Sequence, residues 1–385
     1  MPKPYLKVQT LTDRCELALV IALVSLTASS CQPADSGSAS SAPVAIGVGA
    51  IPGNPGYESM LRGLTMAVER LNETRGAKFR LRPPERGSTS AVQVAQQLRD
   101  DPTVIGVVGH PESGNSIETV PVYADAEHAG RNAVVAISPT ASSPRLSGIS
   151  PWFFRVAPSD ADAALFTARW VLDSLGARRA AVIYRNDSYG RDWSTTFSDA
   201  FTKAGAVVVA RDPYLTGITE WGAYAELLAR LKPDVLLFPG DAGDAVEMLR
   251  ALRDANVSLS FIGGDGTEGM RDSSDAQGAR YVGFFHPDRI DSDEGHTFLR
   301  RYQSKYKQQP DMFAAMSYDA ALAIGRAVLK GARTRLAVRR ALERLGTAGT
   351  PALEGVAGRV AFSKNHDIAA RAVIITFIDS ARGAR

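Results

Sequence analysis

The sequence predicts an α/β protein in which parallel strands and crossover helices form two domains. From Val44 onward, short apolar runs rich in β-branched residues alternate with longer stretches of helical period. Two such blocks, roughly 44–156 and 158–284, contain too many strands for one sheet of this type and have the size of two domains. The segment 151–158, with proline at each end, is the predicted crossover between the two blocks.

Each element is assigned from its apolar periodicity and from the residues at its ends. The predicted strands are the short apolar runs at 44–48, 79–81, 104–108, 134–137, 180–183, 207–210, 235–238, 259–262 and 281–284. The predicted helices between them lie at 60–72, 91–99, 117–128, 161–175, 191–204, 221–231 and 245–255. Gly76, Gly176 and Gly205 stand where the C-terminal caps of helices belong.

The C-terminal third departs from this alternation. Three successive helices are predicted at 294–306, 312–329 and 335–345. Residues 359–362 and 372–377 are then predicted to form a closing pair of strands. The last third is therefore not a further α/β block.

The composition excludes several classes of protein. Apolar residues make up 45% and charged residues 22% of the 385 residues, which is typical of globular proteins and excludes wholesale disorder. Lys and Arg number 44 against 41 Asp and Glu, and a net charge of +3 provides no basic field for nucleic acid. Two cysteines cannot build a disulfide scaffold, and alone they cannot supply the four ligands of a structural zinc site.

Catalytic and cofactor-binding motifs are missing from the sequence. The five histidines are scattered without the spacing of metal ligands, and neither a nucleophile elbow nor a Walker loop occurs. Gly47 and Gly49 resemble the start of a dinucleotide fingerprint, but Pro52 occupies the place of its third glycine. The sequence therefore predicts a protein that is not an enzyme and that uses no metal ion and no cofactor.

The N-terminal segment has the pattern of an export signal. Lys3, Lys7 and Arg14 precede the apolar run 17–26, which is too short to span a bilayer, and small residues follow it. We therefore predict a signal peptide at 1–30 and an extracytoplasmic location, periplasmic or at the cell surface.

The residues around the predicted cleavage point indicate a lipid anchor. Residues 26–31, Leu-Thr-Ala-Ser-Ser-Cys, resemble a bacterial lipobox, although alanine stands where leucine is usual, so ordinary cleavage is the alternative. Removal of the signal also removes Cys15 and leaves one cysteine without an intramolecular partner. Residues 31–43 are accordingly predicted to comprise a lipidated Cys31 and a flexible tether rich in Ser, Ala, Gly and Pro.

A set of motifs in a fixed order resembles a known family. The motifs lie, in chain order, at 105–113, 137–144, 154–155, 187–190, 237–241 and 262–266. In this order and spacing they resemble the branched-chain amino-acid (Leu/Ile/Val) binding proteins of ABC transporters, which are type I periplasmic binding proteins. The resemblance extends from Ile46 to Ile378 and includes Met-Ser-Tyr-Asp-Ala at 316–320.

The resemblance implies how the domains are arranged. It implies two Rossmann-like lobes with parallel central sheets, joined by a hinge of three crossings, with a ligand held in the cleft between them. The first lobe is expected to comprise 44–156 and 286–350, and the second lobe 157–285 and 351–385.

Residues after two first-lobe strands are candidates for binding a carboxylate. Ser113 can offer a hydroxyl and exposed backbone amides, and Ser142, with the backbone of Thr140 and Ala141, can complete the cradle. In the resembled family these loops hold the α-carboxylate and the amino group of the ligand. The alternative is that Ser113 and Ser142 only cap helices.

Four further residues stand at ligand-binding positions of that family, and one of them, Asp241, departs from the family pattern. Asp265 matches the acidic partner of the ligand ammonium, although a Gly-Asp-Gly turn is the alternative. Tyr189 matches an aromatic residue that covers the ligand, or it is an exposed tyrosine at a helix start. Asp241 stands where an aromatic residue is usual, which favours a ligand with extra donors or positive charge unless it is a helix N-cap. Tyr57 matches a side-chain-pocket aromatic only approximately, so the sequence does not define that pocket.

The predicted function is that of an extracytoplasmic solute-binding lipoprotein. It is expected to capture a small polar ligand, an amino acid or a related compound, and to deliver it to an ABC permease in the membrane. The shortened first loop at 49–58 and Asp241 keep open an alternative function, in which the same fold serves as an envelope sensor or a regulatory interaction protein.

Overall fold

The structure is a computed structural model that describes residues 42–217 and 220–379. The helices are α1 (Tyr57–Asn72), α2 (Ala91–Asp100), α3 (Ser113–Tyr123), α4 (Asp160–Ser174), α5 (Ser188–Lys203), α6 (Trp221–Leu231), α7 (Ala242–Asp254), α8 (Asp293–Tyr306), α9 (Met312–Leu329) and α10 (Arg335–Glu343). The predicted signal peptide, Cys31 and all of the predicted tether before residue 42 lie outside the described residues.

The strands form two large sheets and one small one. The strands are β1 (Val44–Gly49), β2 (Phe79–Arg82), β3 (Val104–Gly109), β4 (Ala136–Ser138), β5 (Phe153–Arg155), β6 (Arg179–Arg185), β7 (Val207–Tyr214), β8 (Val235–Phe238), β9 (Ser260–Gly263), β10 (Arg280–Gly283), β11 (Leu353–Glu354), β12 (Arg359–Val360) and β13 (Ile374–Phe377). The predicted α/β class with two lobes is confirmed.

The first sheet has the strand order β2-β1-β3-β4-β5, and every pair in it is parallel. Strand β5 was not among the predicted strands, because only three residues pair with β4 and the apolar run is too short to stand out. The predicted strand at 134–137 starts later, since only Ala136–Ser138 pair with the neighbouring strands.

The second sheet has the order β13-β10-β9-β8-β6-β7 and is parallel except for β13, which runs antiparallel to β10. The prediction that the last two strands pair with each other is wrong. Strand β12 pairs with β11 in a separate two-stranded sheet, whereas β13 extends the edge of the second sheet. Four residues of β13 pair with β10, whereas β12 has only two residues to pair, so β10 gives β13 more backbone hydrogen bonds than β12 could.

The C-terminal helices pack on the first lobe. In the contact between α9 and α1, a Cβ atom added at Gly63 would lie 2.1 Å from the carbonyl oxygen of Ala314. Met312–Leu329 is long and apolar enough to cross a membrane by length and composition alone, but 83% of it is buried inside the protein. We therefore interpret α9 as a core helix of the first lobe.

The segment between β12 and β13 contacts the first lobe before the chain enters the second sheet. The ring of Phe362 packs edge-on against Phe154, with ring centroids 4.9 Å apart. Asp367 accepts a 2.6 Å hydrogen bond from Nε of the fully buried Arg155. Arg371 is also buried, and its Nε donates to the carbonyl oxygen of Val156 at 3.2 Å, so the first and last crossings between the lobes are in direct contact.

Candidate ligand-binding cleft

The candidate site lies where parallel strands of both lobes end. Strands β3 and β4 of the first lobe, and β6, β8 and β9 of the second, have their carboxyl ends at this place. In open parallel sheets these ends carry the helix N-termini and the loops that bind ligands. The loops that follow these five strands carry all but one of the candidate residues.

Ser113 joins two loops of the first lobe. Its side chain is buried, and its Oγ accepts hydrogen bonds from the backbone N–H groups of Ser142 and Ser143, at 3.3 and 3.2 Å. Glu112 is the N-cap of α3, and Ser143 is the N-cap of the short turn that begins at Pro144. Neither Ser113 nor Ser142 is therefore a helix cap.

Helix α3 starts four residues earlier than predicted and ends at Tyr123 rather than at 128. Asp125 adopts a left-handed conformation with φ of 50°, which ends the helical path before a separate single turn at Ala126–His128. The early start places Ser113 in the first turn of the helix, next to the 138–143 loop.

The loop after β4 is held to the loop after β3 by its own polar groups. The Thr140 hydroxyl donates to the carbonyl oxygen of Pro111 at 2.9 Å, and the Ala141 N–H donates to Ser138 Oγ at 3.0 Å. Thr140, Ala141 and Ser142 are all buried. The hydroxyl of Thr140 is thus engaged within the protein.

Asp265 and Tyr189 form a buried pair in the second lobe. The Tyr189 hydroxyl donates to Asp265 Oδ1 at 2.9 Å and accepts a 3.3 Å hydrogen bond from the N–H of Gly266. Burial raises the pKa of both side chains. A Cβ atom at Gly264 would lie 2.2 Å from the tyrosine oxygen, so this close approach depends on glycine. Tyr189 is not an exposed tyrosine, and Asp265 begins a 3-10 helix, Asp265–Asp272.

The sequence analysis missed Asp160, which interacts both with Ser142 of the first lobe and with Asp265 of the second. It is fully buried at the start of α4, and its backbone N–H donates to the carbonyl oxygen of Ser142 at 2.7 Å. Neither carboxylate oxygen has a hydrogen-bond partner of normal geometry in the described part of the chain, although the Ser142 hydroxyl is near enough to lower the pKa of Asp160. Burial first, and then the negative charge of Asp265, raise the pKa of Asp160 well above its ordinary value.

Asp241 occupies an N-cap position but does not cap its helix. Its side chain makes no hydrogen bond to the first turn of α7, and its Oδ1 instead lies 2.5 Å from a terminal nitrogen of Arg185. Nε of the same guanidinium donates to Asp187 at 2.6 Å. Burial raises the pKa of Asp241 even though Arg185 acts in the opposite direction. The Arg185 guanidinium lies 5.8 Å from the centroid of the Tyr189 ring, which connects this cluster to Asp265.

Tyr57 follows β1, a strand that carries none of the other candidates. It is the first residue of α1, is buried, and packs in the apolar core. Its backbone N–H donates to the carbonyl oxygen of Asn54 at 3.1 Å. Among residues 42–217 and 220–379, no hydrogen bond or ring contact joins Tyr57 to Ser113 or to Asp265.

The two lobes touch each other beside the candidate site. The Ser143 hydroxyl of the first lobe donates to the Asp192 carboxylate of α5, and Nε of Arg145 donates to the same carboxylate at 3.1 Å. At a second contact, Glu268 of the second lobe accepts a 3.0 Å hydrogen bond from the N–H of Met312, at the start of α9. These contacts join the lobes at residues that lie close to Ser142 and Asp265 in the sequence.

A sequence signal for Asp160 existed, since it follows Ser159 at a helix start just beyond the end of an apolar segment. Arg185 carried a weaker signal, as a charged residue that ends an apolar strand. No group of three or more His, Cys, Asp or Glu side chains in the described ranges is placed to hold a metal ion.

Comparisons with known proteins agree on one family. The model of the periplasmic binding protein family matches residues 52–383. An "Amino acid binding protein" of Pseudomonas aeruginosa is 26% identical over 232 residues, which cover 58% of this chain and 60% of that protein. A "Leu/Ile/Val-binding protein" of Escherichia coli is 27% identical over 197 residues, covering 47% and 51%. The alignments thus span little more than half the length of these relatives.

Solved structures match over nearly the whole described chain. A leucine binding protein from Thermotoga maritima superposes with a TM-score of 0.79 at 20% identity and covers 88% of this chain and 96% of that chain. An ABC transporter substrate-binding protein from Desulfitobacterium hafniense, in complex with Leu, has a TM-score of 0.73 at 25% identity and covers 88% and 98%. These structures share the two-lobed fold.

Proposed function

Because the chain belongs to the periplasmic binding protein family, we propose that it captures an amino acid or a related small polar compound between its two lobes. In this proposal the protein is a solute-binding component that delivers the ligand to an ABC permease and performs no covalent chemistry. The observation that supports the proposal is the position of Asp160, whose N–H donates to Ser142 beside Ser113 and whose carboxylate is raised in pKa by burial and by Asp265 of the other lobe.

The first-lobe side of the site suits a carboxylate. Ser113 Oγ already accepts two backbone N–H groups, so its own proton is available to donate to a ligand. Two neighbouring loops and the first turn of α3 surround it. Hydrogen bonds to an ionised acceptor are about twice as strong as neutral ones, so a ligand carboxylate gains most from this position.

The opposite side of the site suits an ammonium group. Asp265 is held by Tyr189 and Asp160 has no hydrogen-bond partner of normal geometry in the described ranges. Burial raises the pKa of Asp160 more than the Ser142 hydroxyl lowers it, so ionising this carboxylate is costly and a bound cation reduces that cost. The same ligand would contact both lobes and so stabilise the closed state over an open one.

Export and anchoring complete the proposal. Membership of the family implies an extracytoplasmic location. The signal-like segment 1–30 and the lipobox-like residues 26–31 support lipidation of Cys31 and attachment to the membrane. Mass spectrometry of the protein purified from its native envelope tests this part. An N-terminal peptide that starts beyond Cys31, or an unmodified Cys31, contradicts the anchor.

The binding proposal is tested by calorimetry and thermal shift with amino acids, their amides and small carboxylates. Asp265→Ala is expected to weaken binding of the active compound at least about 30-fold, because truncating one partner of a buried charge pair costs about 2–5 kcal/mol. The matched control is Asp272→Ala, since Asp272 lies in the same 3-10 helix with its side chain exposed. Equal affinity of the Asp265 variant removes Asp265 from the site. Absence of any stabilising compound favours an envelope sensor or regulatory protein instead.

A further inference from the structure

Negatively charged side chains outnumber positively charged ones around the candidate site. Four carboxylates, those of Asp160, Asp187, Asp241 and Asp265, form a group around the Arg185 guanidinium, and a second guanidinium, that of Arg155, acts on Asp160 from outside this group. When all are ionised, the group carries an excess of three negative charges. Acidic clusters on a surface are common, but this one includes a fully buried carboxylate without a hydrogen-bond partner of normal geometry among the described residues, Asp160.

The cations nearest to this group are already committed. Arg185 uses Nε and one terminal nitrogen on Asp187, at 2.6 and 2.5 Å, and the other terminal nitrogen on Asp241. Arg155 lowers the pKa of Asp160, but its charge is paired with Asp367.

The remaining nitrogens of Arg155 are also engaged. They donate to the carbonyl oxygen of Ser143 at 2.9 Å and to the hydroxyl of Ser147 at 2.7 Å. Arg145 pairs with Asp192, the other carboxylate beside the cleft. Arg155 and Arg185 act to lower the pKa values of Asp160 and Asp265, respectively, through space, but their ion pairs within the described residues are with Asp367, Asp187 and Asp241.

A zwitterionic amino acid with a neutral side chain would not balance this group. Its ammonium would offset one negative charge, and its carboxylate would add another. Buried carboxylates that lack counter-charges either bind a proton or bind a cation. A ligand with a second positive group would instead offset part of the excess negative charge.

The second positive group has a defined place to bind. Asp241 follows β8 and Asp265 follows β9, and these strands are neighbours in the sheet. A Cβ atom added at Gly266 would lie 2.6 Å from the carbonyl oxygen of Gly240, so the two loops are in contact. Asp241 keeps 28% of its side chain exposed, and its Oδ1 is paired with Arg185.

Resting on the proposed function, we propose that this site selects amino-acid-like ligands that carry a second cationic group, such as basic amino acids, and that Asp241 is a specificity-determining residue. The ligand ammonium lies between Asp160 and Asp265, and the second cation lies against Asp241. A branched aliphatic side chain at the same place would have to desolvate the Arg185–Asp241 ion pair without replacing its lost hydration.

The test is calorimetric titration of the full mature chain with L-lysine, L-arginine, L-leucine and L-glutamate at neutral pH and an ionic strength of about 0.15 M. We expect lysine or arginine to bind at least about tenfold more tightly than leucine and glutamate to bind weakest, since unfavourable juxtaposition of like charges costs affinity. Titration in two buffers of different ionisation enthalpy is also expected to show proton release when the basic ligand binds.

Variants locate the second cation. Asp241→Asn is expected to reduce the affinity for the basic amino acid about tenfold or more and to change the affinity for leucine by a clearly smaller factor. Asp254→Asn is the matched control, because Asp254 is an exposed residue at the other end of the same helix. Thermal unfolding of both variants verifies that they are folded.

The outcomes separate this inference from the proposed function. Tighter binding of leucine or glutamate than of lysine and arginine overturns the selectivity but leaves an amino-acid binding protein. An equal loss of leucine and lysine affinity in the Asp241 variant overturns the placement of the second cation. Binding of none of the four amino acids counts against the proposed function itself.

Discussion

Glu268 offers a quantitative test of how the lobes are held together. It lies three residues after Asp265 in the second lobe and is buried, and its Oε2 accepts the backbone N–H of Met312 in the first lobe at 3.0 Å. Its Oε1 lies 2.8 Å from the Arg271 guanidinium. Burial nevertheless raises the pKa of Glu268 to about 7, and the nearby Asp311 adds to this effect. We predict that Glu268→Gln stabilises the ligand-free protein above neutral pH.

The magnitude follows from the pKa. One pKa unit corresponds to about 1.4 kcal/mol, so a pKa of about 7 in place of the ordinary 4.5 corresponds to about 3 kcal/mol. The folded state binds this proton more tightly than the unfolded state does. The stability of the protein therefore falls as pH rises from 4.5 to about 7 and then levels off. Glutamine stays neutral and keeps a carbonyl oxygen for the Met312 N–H, so the variant does not lose stability as the pH rises through this range.

Urea denaturation of the parent and the variant between about pH 5 and pH 8 measures the difference. The variant is expected to be more stable by up to about 3 kcal/mol near pH 8 and by about 1 kcal/mol or less near pH 5. Glu226→Gln on the exposed face of α6 is the control and should leave the pH profile unchanged. A Glu268 variant that is less stable at pH 8, or whose difference from the parent does not vary with pH, refutes the reasoning.

Two further predictions concern packing. Asp319→Ala should lower the free energy of unfolding by about 3–5 kcal/mol, because it leaves Arg371 buried without its counter-charge. The double variant Asp319→Leu with Arg371→Met should lose less stability in urea denaturation, because it removes both charges. An equal loss in the single and the double variant contradicts this account. Gly63→Ala should destabilise the protein by about 1–3 kcal/mol, because the new Cβ meets the Ala314 carbonyl oxygen at 2.1 Å. Gly222→Ala in α6, with open space around the new Cβ, should be neutral or stabilising in the same assay, and equal losses at both glycines would contradict the role of the α1–α9 contact.

The architecture was largely predictable because it depends on local patterns. Buried parallel strands must be apolar, and crossover helices must present one apolar face, so their alternation is visible in the sequence. The short strand β5 escaped detection because its identity comes from pairing with β4 rather than from its own composition. The pairing of β13 with β10 was missed for the same reason, since strand partners distant in sequence leave no local signal.

The candidate site was predictable only in part. Ser113 and Asp265 could be selected because each follows an apolar strand, where the loops of a parallel sheet bind ligands. The sequence could not show whether Asp241 caps its helix or pairs with Arg185, because an aspartate at that position can do either. The burial of Tyr57 in the same apolar core as Tyr189 was equally invisible, because it depends on how the first loop packs.

What the sequence determined by itself is the class of fold, the family resemblance and the set of polar residues at strand ends. These follow from periodicities of two and 3.6 residues and from residue order, which are properties of the chain alone. Only the tertiary structure decided that Asp160 and Asp265, 105 positions apart in the sequence, share one electrostatic environment. Coulomb energy and desolvation depend on distance and burial in space, and no linear pattern records either of them.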